Sequence, residues 1–156
     1  MAKLSIKIKG LDDYINSLNK VGGNVHKAIE TALIETHELI TKQVKDALTK
    51  GVPLKSGGRS KPIDMYKSNG TGDMAKSFMD EPYVNWFGDR AMIQVGFNQG
   101  ISQHATYMMI TGTAYTEPSQ QLYNAIYGAA TKKKVEEIQK NALEKAIEEA
   151  MKWNKN

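Results

Sequence analysis

The sequence predicts an α+β fold in which a small, mostly antiparallel sheet packs against two long amphipathic helices. Two stretches, residues 25–47 and 122–151, repeat apolar residues at spacings of three and four, the period of an amphipathic helix. Between them, two strand-like segments flank a glycine turn, as in a β-hairpin. A chain of 156 residues can bury one core, so we expect a single domain over residues 1–156.

The first third of the chain predicts a strand and two helices. Residues 3–9 alternate apolar and polar side chains, so a strand here would have one buried face and one face bearing lysines. Residues 11–21 then predict a short helix that ends at Gly22. Asn24 is placed to cap the long helix that follows, which we expect to end at Gly51.

The second half of the chain predicts a hairpin and then a second long helix. Residues 83–87 and 91–97 are the two strands, and Gly88 begins the turn between them. The second long helix contains Gly128, at which we expect it to break. We interpret the charged run that includes Lys132–Lys134 as a solvated helix surface.

Residues 54–72 match neither period and are rich in glycine, serine and lysine. A structureless segment of this length is uncommon in a compact domain unless it is functional or disordered, so we expect a flexible basic loop. Cations on a mobile loop suit contact with a partner or with DNA, and methionines suit adaptable interfaces. The candidate contact residues are Lys55, Arg59, Lys61, Lys67, Met108 and Met109.

The composition excludes several classes of protein. There is no cysteine, which rules out a disulfide framework, a thiolate nucleophile and a cysteine zinc site. The formal charge of +4 permits contact with nucleic acid without implying it. No stretch approaches eighteen apolar residues, and the N-terminus lacks the apolar core of an export signal, so we expect no contact with a membrane.

No group of residues in the sequence forms a catalytic or metal site. His26 and His37 share one face of the predicted helix but lie about 16 Å apart along its axis, too far to chelate one metal. Adjacent carboxylates such as Glu136 and Glu137 point about 100° apart on a helix, so they are not an acid–base pair. Motifs for a phosphate-binding loop or an activated serine are absent. We expect no enzyme, no metal and no cofactor.

Read in order, several motifs resemble those of a family of small neck proteins of long-tailed phages. The predicted strand ends in KIKGL and leads into the helix DDYINSL and then the long helix. Residues 71–74, TGDM, followed by Ser77, resemble the family's T-G-x-L-x-x-S segment. Residues 104–113, HATYMMITGT, resemble its Y-A-x-x-x-E-x-G-T stretch. Residues 118–126 fall where the family has a proline-led run that opens the last helix, so the resemblance covers nearly the whole chain.

The resemblance to this head-tail joining family, also described as tail-completion proteins or minor tail components, implies a structural virion protein. It implies a homo-oligomeric ring, usually of six copies, at the junction of the head connector and the tail, with DNA passing through the lumen. The implied partners are other copies of the chain, the connector, and the tail terminator or tail tube. Assembly in the host cytoplasm and a place in the virion neck follow from the same resemblance.

The residues leave a second function open. The lysines of the predicted N-terminal strand, Lys3, Lys7 and Lys9, together with the basic loop, would also suit a small nucleic-acid-binding module. Such a module would bind DNA as a monomer and with a steep dependence on salt.

Overall fold

The computed structural model describes residues 11–59, 67–68, 72–73, 81–88, 90–96 and 110–153. In chain order the elements are α1 (Leu11–Lys20), α2 (Val25–Thr49), β1 (Lys67–Ser68), β2 (Gly72–Asp73), β3 (Val84–Phe87), β4 (Arg90–Ile93), α3 (Gln120–Tyr127) and α4 (Ala129–Trp153). Long helices combined with small antiparallel sheets confirm the α+β prediction. The predicted N-terminal strand, residues 3–9, lies outside the described residues.

The two long helices, α2 and α4, lie side by side and run in opposite directions. Thr131 on α4 contacts Gln43 on α2, whereas Gln139, two turns further along α4, contacts Thr36, which lies two turns earlier on α2. Each helix has 25 residues, which corresponds to about 37 Å at the standard rise. The pair therefore forms the long axis of the described fold.

The start and the end of α2 agree with the prediction from its flanking residues. The Asn24 side chain accepts a hydrogen bond from the Lys27 amide at 3.0 Å, which confirms the predicted N-cap. The helix ends at Thr49, and Gly51 follows with a φ of 65°, a conformation that glycine adopts without steric cost.

Apolar side chains form two clusters along the contact between α2 and α4. The smaller cluster lies where α1 packs on α4, and it buries Leu18, Ala28 and Leu143. Nearby, the Tyr14 hydroxyl donates to Glu144 Oε1 at 3.0 Å, and this bond raises the pKa of Tyr14 above its ordinary value. The larger cluster lies at the opposite end and joins α2, α3 and α4 through Ile40, Val44, Ala47, Leu48, Val52, Leu122, Ala125 and Val135.

A buried polar layer separates the two apolar clusters. Gln139 Nε2 donates to the Thr36 hydroxyl at 3.2 Å, and that hydroxyl donates to the Ala32 carbonyl at 2.8 Å. His37, which is 1% exposed, has its Nδ1 3.4 Å from the Thr41 hydroxyl. Within the described ranges, every buried side-chain polar atom has a hydrogen-bond partner. An unpaired buried polar group costs about 1–3 kcal/mol, and a shift of α4 along α2 would leave such groups unpaired. The polar layer therefore favours one register of α4 against α2.

The strands β3 and β4 form an antiparallel hairpin that packs on α2. The register places Val84 opposite Ile93 and Trp86 opposite Ala91, so these side chains share one face of the hairpin. The turn begins at Gly88, whose φ of 64° agrees with the predicted glycine turn. An isolated two-stranded hairpin is at best marginally stable in water, so packing on α2 stabilises this one.

Parts of residues 54–72 carry regular backbone hydrogen bonds. Residues 54–59 form a turn in which the Leu54 amide donates to the Gly58 carbonyl at 3.2 Å. The short strands β1 and β2 form an antiparallel ladder with Lys67 opposite Asp73. The remaining residues of this segment lie outside the described ranges, and its flexibility stays a prediction.

The last helical segment breaks at Gly128, as the sequence predicts. Gly128 has extended backbone angles, φ −60° and ψ 146°, which separate α3 from α4. A Cβ at this position would lie 2.5 Å from the Asn124 carbonyl oxygen, so the close approach of the backbone requires glycine. The Thr131 hydroxyl lies 2.7 Å from the same oxygen and 2.8 Å from Gln43 Oε1, which ties the break to α2.

Replacing Gly128 with alanine should lower the free energy of unfolding by about 1–3 kcal/mol, because the Asn124 backbone must move to admit the added methyl group. Urea unfolding measures this loss as a lower midpoint with an unchanged slope. The control variant Asn141→Ala, at an exposed position on α4, should stay within about 0.5 kcal/mol of the parent. Equal midpoints for Gly128→Ala and the parent would contradict the close approach.

Candidate functional site

Two loops that are far apart in the sequence meet at the end of the fold where α2 ends. The first, residues 50–59, follows α2, and the second precedes α3. The Lys55 amide donates to the Tyr115 carbonyl at 3.1 Å, and the Glu117 amide donates to the Pro53 carbonyl at 3.0 Å. Each loop therefore holds the other in place.

Arg59 fastens the first loop to the end of α2. Its Nε donates to the Lys50 carbonyl at 2.8 Å, and its Nη2 donates to the Gly51 carbonyl at 2.7 Å and to Gln121 Oε1 at 3.2 Å. The C-terminal end of a helix carries a partial negative charge, and α2 has no basic residue in its last turn. Arg59 thus supplies from outside the helix the cation that its last turn lacks.

The second loop presents an exposed tyrosine on a hydrogen-bonded turn. The Thr113 hydroxyl accepts from the amides of Tyr115 and Thr116, both at 3.2 Å. Gly112, with a φ of 84°, opens the turn, and a Cβ there would lie 3.0 Å from the Thr116 carbonyl oxygen. Tyr115 is 82% exposed. Tyr115 is not among the contact residues predicted from the sequence; the available signal is the pair of threonines three apart, Thr113 and Thr116, which is typical of a side-chain-capped turn.

The start of α4 brings three more lysines, residues 132–134, to this end of the fold. All three are exposed, as predicted for a solvated helix surface. Lys134 and Lys50 line one open cleft of about 310 Å³ between α2, α3 and α4. We use the name basic end for the six cations gathered here: Lys50, Lys55, Arg59, Lys132, Lys133 and Lys134.

The basic end has a local excess of positive charge. Its six cations are accompanied by four carboxylates on the same loops, the cleft and the next turn of α4: Asp46, Glu117, Glu136 and Glu137. Six positive charges against four negative ones leave an excess of two at this end of the described fold.

A second exposed surface lies on the hairpin. Asn85, Phe87, Arg90 and Met92 share the face that is opposite the α2 contact, because side chains alternate along a strand. Phe87 is 61% exposed and Met92 is 51% exposed. Aromatic residues, methionine and arginine are enriched in the buried centres of protein–protein interfaces. We use the name outer hairpin face for these four residues.

Trp86 anchors the opposite face of the hairpin to α2. Its Nε1 donates to Glu30 Oε1 at 2.8 Å, and its ring lies 4.5 Å from the His26 ring between centroids. Glu30 and His26 lie one helical turn apart on α2, and both contact Trp86, so their role is to hold the hairpin on the helix.

The candidate contact residues from the sequence have different outcomes. Lys55 lies exposed at the basic end, whereas the Arg59 guanidinium makes three hydrogen bonds within the fold. Lys67 lies in β1, of which only the backbone is described. Lys61, Met108 and Met109 lie outside the described residues, so their contacts stay predictions.

The described residues contain no group of three or more acidic or histidine side chains that could hold a metal ion. His26 contacts Trp86 and His37 lies in the polar layer, so the two histidines have separate roles. In the same part of the chain, none of the helices combines the length and apolar character needed to cross a bilayer.

Replacing Arg59 with alanine should lower the free energy of unfolding by about 1–2 kcal/mol, because the carbonyls at the end of α2 lose a charged donor. Arg59→Lys should recover only part of this loss, since an ammonium cannot reproduce the planar guanidinium fork. Lys55→Ala is the control at an exposed position on the same loop, and its urea midpoint should equal that of the parent. Equal losses of unfolding free energy for Arg59→Ala and Lys55→Ala would contradict this role, because the removal of a positive charge alone would then explain both.

Replacing Trp86 with phenylalanine should weaken the hairpin contact by about 1 kcal/mol, because the ring is kept and the bond to Glu30 is lost. The measurement is hydrogen exchange of the amides of β3 and β4, which should become faster while the amides of α4 stay protected. The control is Trp153→Phe, at a tryptophan that is 85% exposed. Faster exchange in both variants would contradict the anchor role of Trp86.

Comparisons with known proteins add no relative to this picture. No protein-family model, no curated protein and no solved structure matches the chain. A functional conclusion therefore depends on the motifs of the sequence and on the surfaces of the fold.

Proposed function

We propose that the chain is a structural protein of the phage neck that forms a ring at the head-tail junction, through which DNA passes. The observation that carries this proposal is the order of the motifs along nearly the whole chain, from the N-terminal KIKGL to the proline-led opening of the last helix. Two further features support it: the outer hairpin face and the basic end are distinct exposed surfaces on one subunit.

A ring needs two different surfaces on each subunit. In a closed ring the front of one copy meets the back of the next, so the interface is heterologous. The outer hairpin face offers one such surface, since Phe87 and Met92 are more than half exposed and Arg90 lies beside them. Trp86 fixes this face relative to α2, which reduces the conformational entropy that association would remove.

The polar groups at the α2–α4 contact bond to one another, and the Arg59 guanidinium bonds to carbonyls, so both stabilise the fold. The nucleic-acid-binding module stays the second candidate, and the observation that favours it is the concentration of lysines at the basic end. Its other element, residues 3–9, lies outside the described residues.

Phage particles produced without this chain should accumulate as filled heads and finished tails that are not joined. Electron microscopy of the lysate would show both parts, and adding the purified chain should restore joined particles. Joined, infectious particles in the absence of the chain would refute the proposed function.

The double variant Phe87→Ser/Met92→Ser should weaken association of the subunits by roughly 100-fold, because burial of two large apolar side chains is lost. Light scattering against protein concentration measures the association, and electron microscopy shows whether closed rings remain. The matched control is Asn16→Ser/Asn141→Ser, two exposed polar positions on α1 and α4, which should assemble as the parent does. Unchanged assembly of the hairpin variant would remove the outer hairpin face from the ring contact.

A further inference from the structure

We propose that the basic end binds the phosphate backbone of duplex DNA, without regard to base sequence, through Lys50, Lys55 and Lys132–Lys134. The sequence suggests DNA contact through the basic loop and, for a nucleic-acid-binding module, through Lys3, Lys7 and Lys9 as well, whereas residues 132–134 are interpreted as an ordinary solvated helix surface. In the structure Lys134 lines the same cleft as Lys50, and Lys50 begins the loop that carries Lys55.

The antiparallel packing of the long helices creates this surface. It places the end of α2 beside the start of α4, and the hydrogen bond from the Thr131 hydroxyl to Gln43 at 2.8 Å fixes the two helices immediately before Lys132. Lys50 and Lys134 then line the same cleft, although they are far apart in the sequence. Five exposed ammonium groups therefore lie at one end of the fold.

The concentration of charge allows this end to act separately from the others. The basic end has an excess of two positive charges after Asp46, Glu117, Glu136 and Glu137 are counted, and the long helices extend about 37 Å from it to the opposite end. At physiological ionic strength charges are screened within about 8 Å, so charges at the far ends of the long helices neither strengthen nor cancel the field at the basic end.

The residue types favour a nucleic acid over an acidic protein as the partner. Lysine is depleted in protein–protein interfaces, whereas its compact, mobile charge suits phosphate oxygens and gives sequence-independent binding. Tyr115, next to Lys55 and 82% exposed, adds a hydroxyl donor on a fixed turn, and hydroxyl groups commonly bond to phosphates. Arg59 does not belong to the contact set; it positions Lys55 by holding the loop on α2.

This inference deepens the proposed function, because the DNA that passes through a neck ring supplies the natural ligand. The contact itself is testable without rings or particles. A subunit that binds DNA but never forms rings would support the inference and oppose the ring. Subunits that form rings but do not bind DNA would support the ring and oppose the inference.

The test measures the binding of the full chain to a short fluorescent duplex of arbitrary sequence at several salt concentrations. Each phosphate contact contributes about 0.9 to the slope of log affinity against log salt, so five lysines give a slope of about −4 to −5. The variant Lys132→Ala/Lys133→Ala/Lys134→Ala should reduce the magnitude of this slope by about 2.7. It should also weaken DNA binding on the order of 100-fold at about 0.15 M salt. Alanine is a strong helix former, so α4 should remain intact.

The matched control is Lys140→Ala/Lys145→Ala/Lys152→Ala, which removes the same charge from the same helix outside the basic end. It should leave both slope and affinity unchanged. Equal losses in the two triple variants would overturn the proposal, because net charge and not the basic end would then govern binding. Displacement of the duplex by poly-L-glutamate as effectively as by unlabelled duplex would also overturn it and indicate an acidic protein partner.

Discussion

The antiparallel contact between α2 and α4 is the constraint on which the rest of the structure depends. Apolar burial drives the two helices together, but apolar side chains alone tolerate sliding by a turn. Polar pairs remove that tolerance, since Gln139 meets Thr36 and Thr131 meets Gln43 at only one register. A shift would leave the buried pair, Gln139 and Thr36, without hydrogen-bond partners. The basic end inherits its position from this register.

The two exposed surfaces are positioned by different contacts. The outer hairpin face is held on α2 through Trp86 and its contacts with His26 and Glu30 near the start of that helix. The basic end depends on the register of α2 and α4, because Lys50, which follows α2, and the lysines of α4 become neighbours only when the helices are aligned. The break at Gly128 is part of the same arrangement, since it allows α3 to pack beside α2 while α4 begins at the cleft.

Elements with a strong local signal could be predicted from the sequence. Asn24 as a cap, the glycine turn at Gly88 and the break at Gly128 each depend on the intrinsic preferences of one or two residues. The site could not be predicted in the same way, because it depends on contacts between distant segments. Arg59 illustrates this limit: in the sequence it is one more cation in a basic loop, and only the fold shows that it binds the carbonyls after α2.

The helix pair sets the scaffold and the loops carry exposed side chains, and this separation affects how such a protein can evolve. The hydrogen bonds that set the alignment of the long helices lie away from the turn that carries Tyr115. Substitutions or insertions at the tip of that turn can therefore change what the subunit recognises without disturbing its scaffold. We expect related chains to keep the α2–α4 pair and to differ most at this turn, so that one architecture is adapted to many partners.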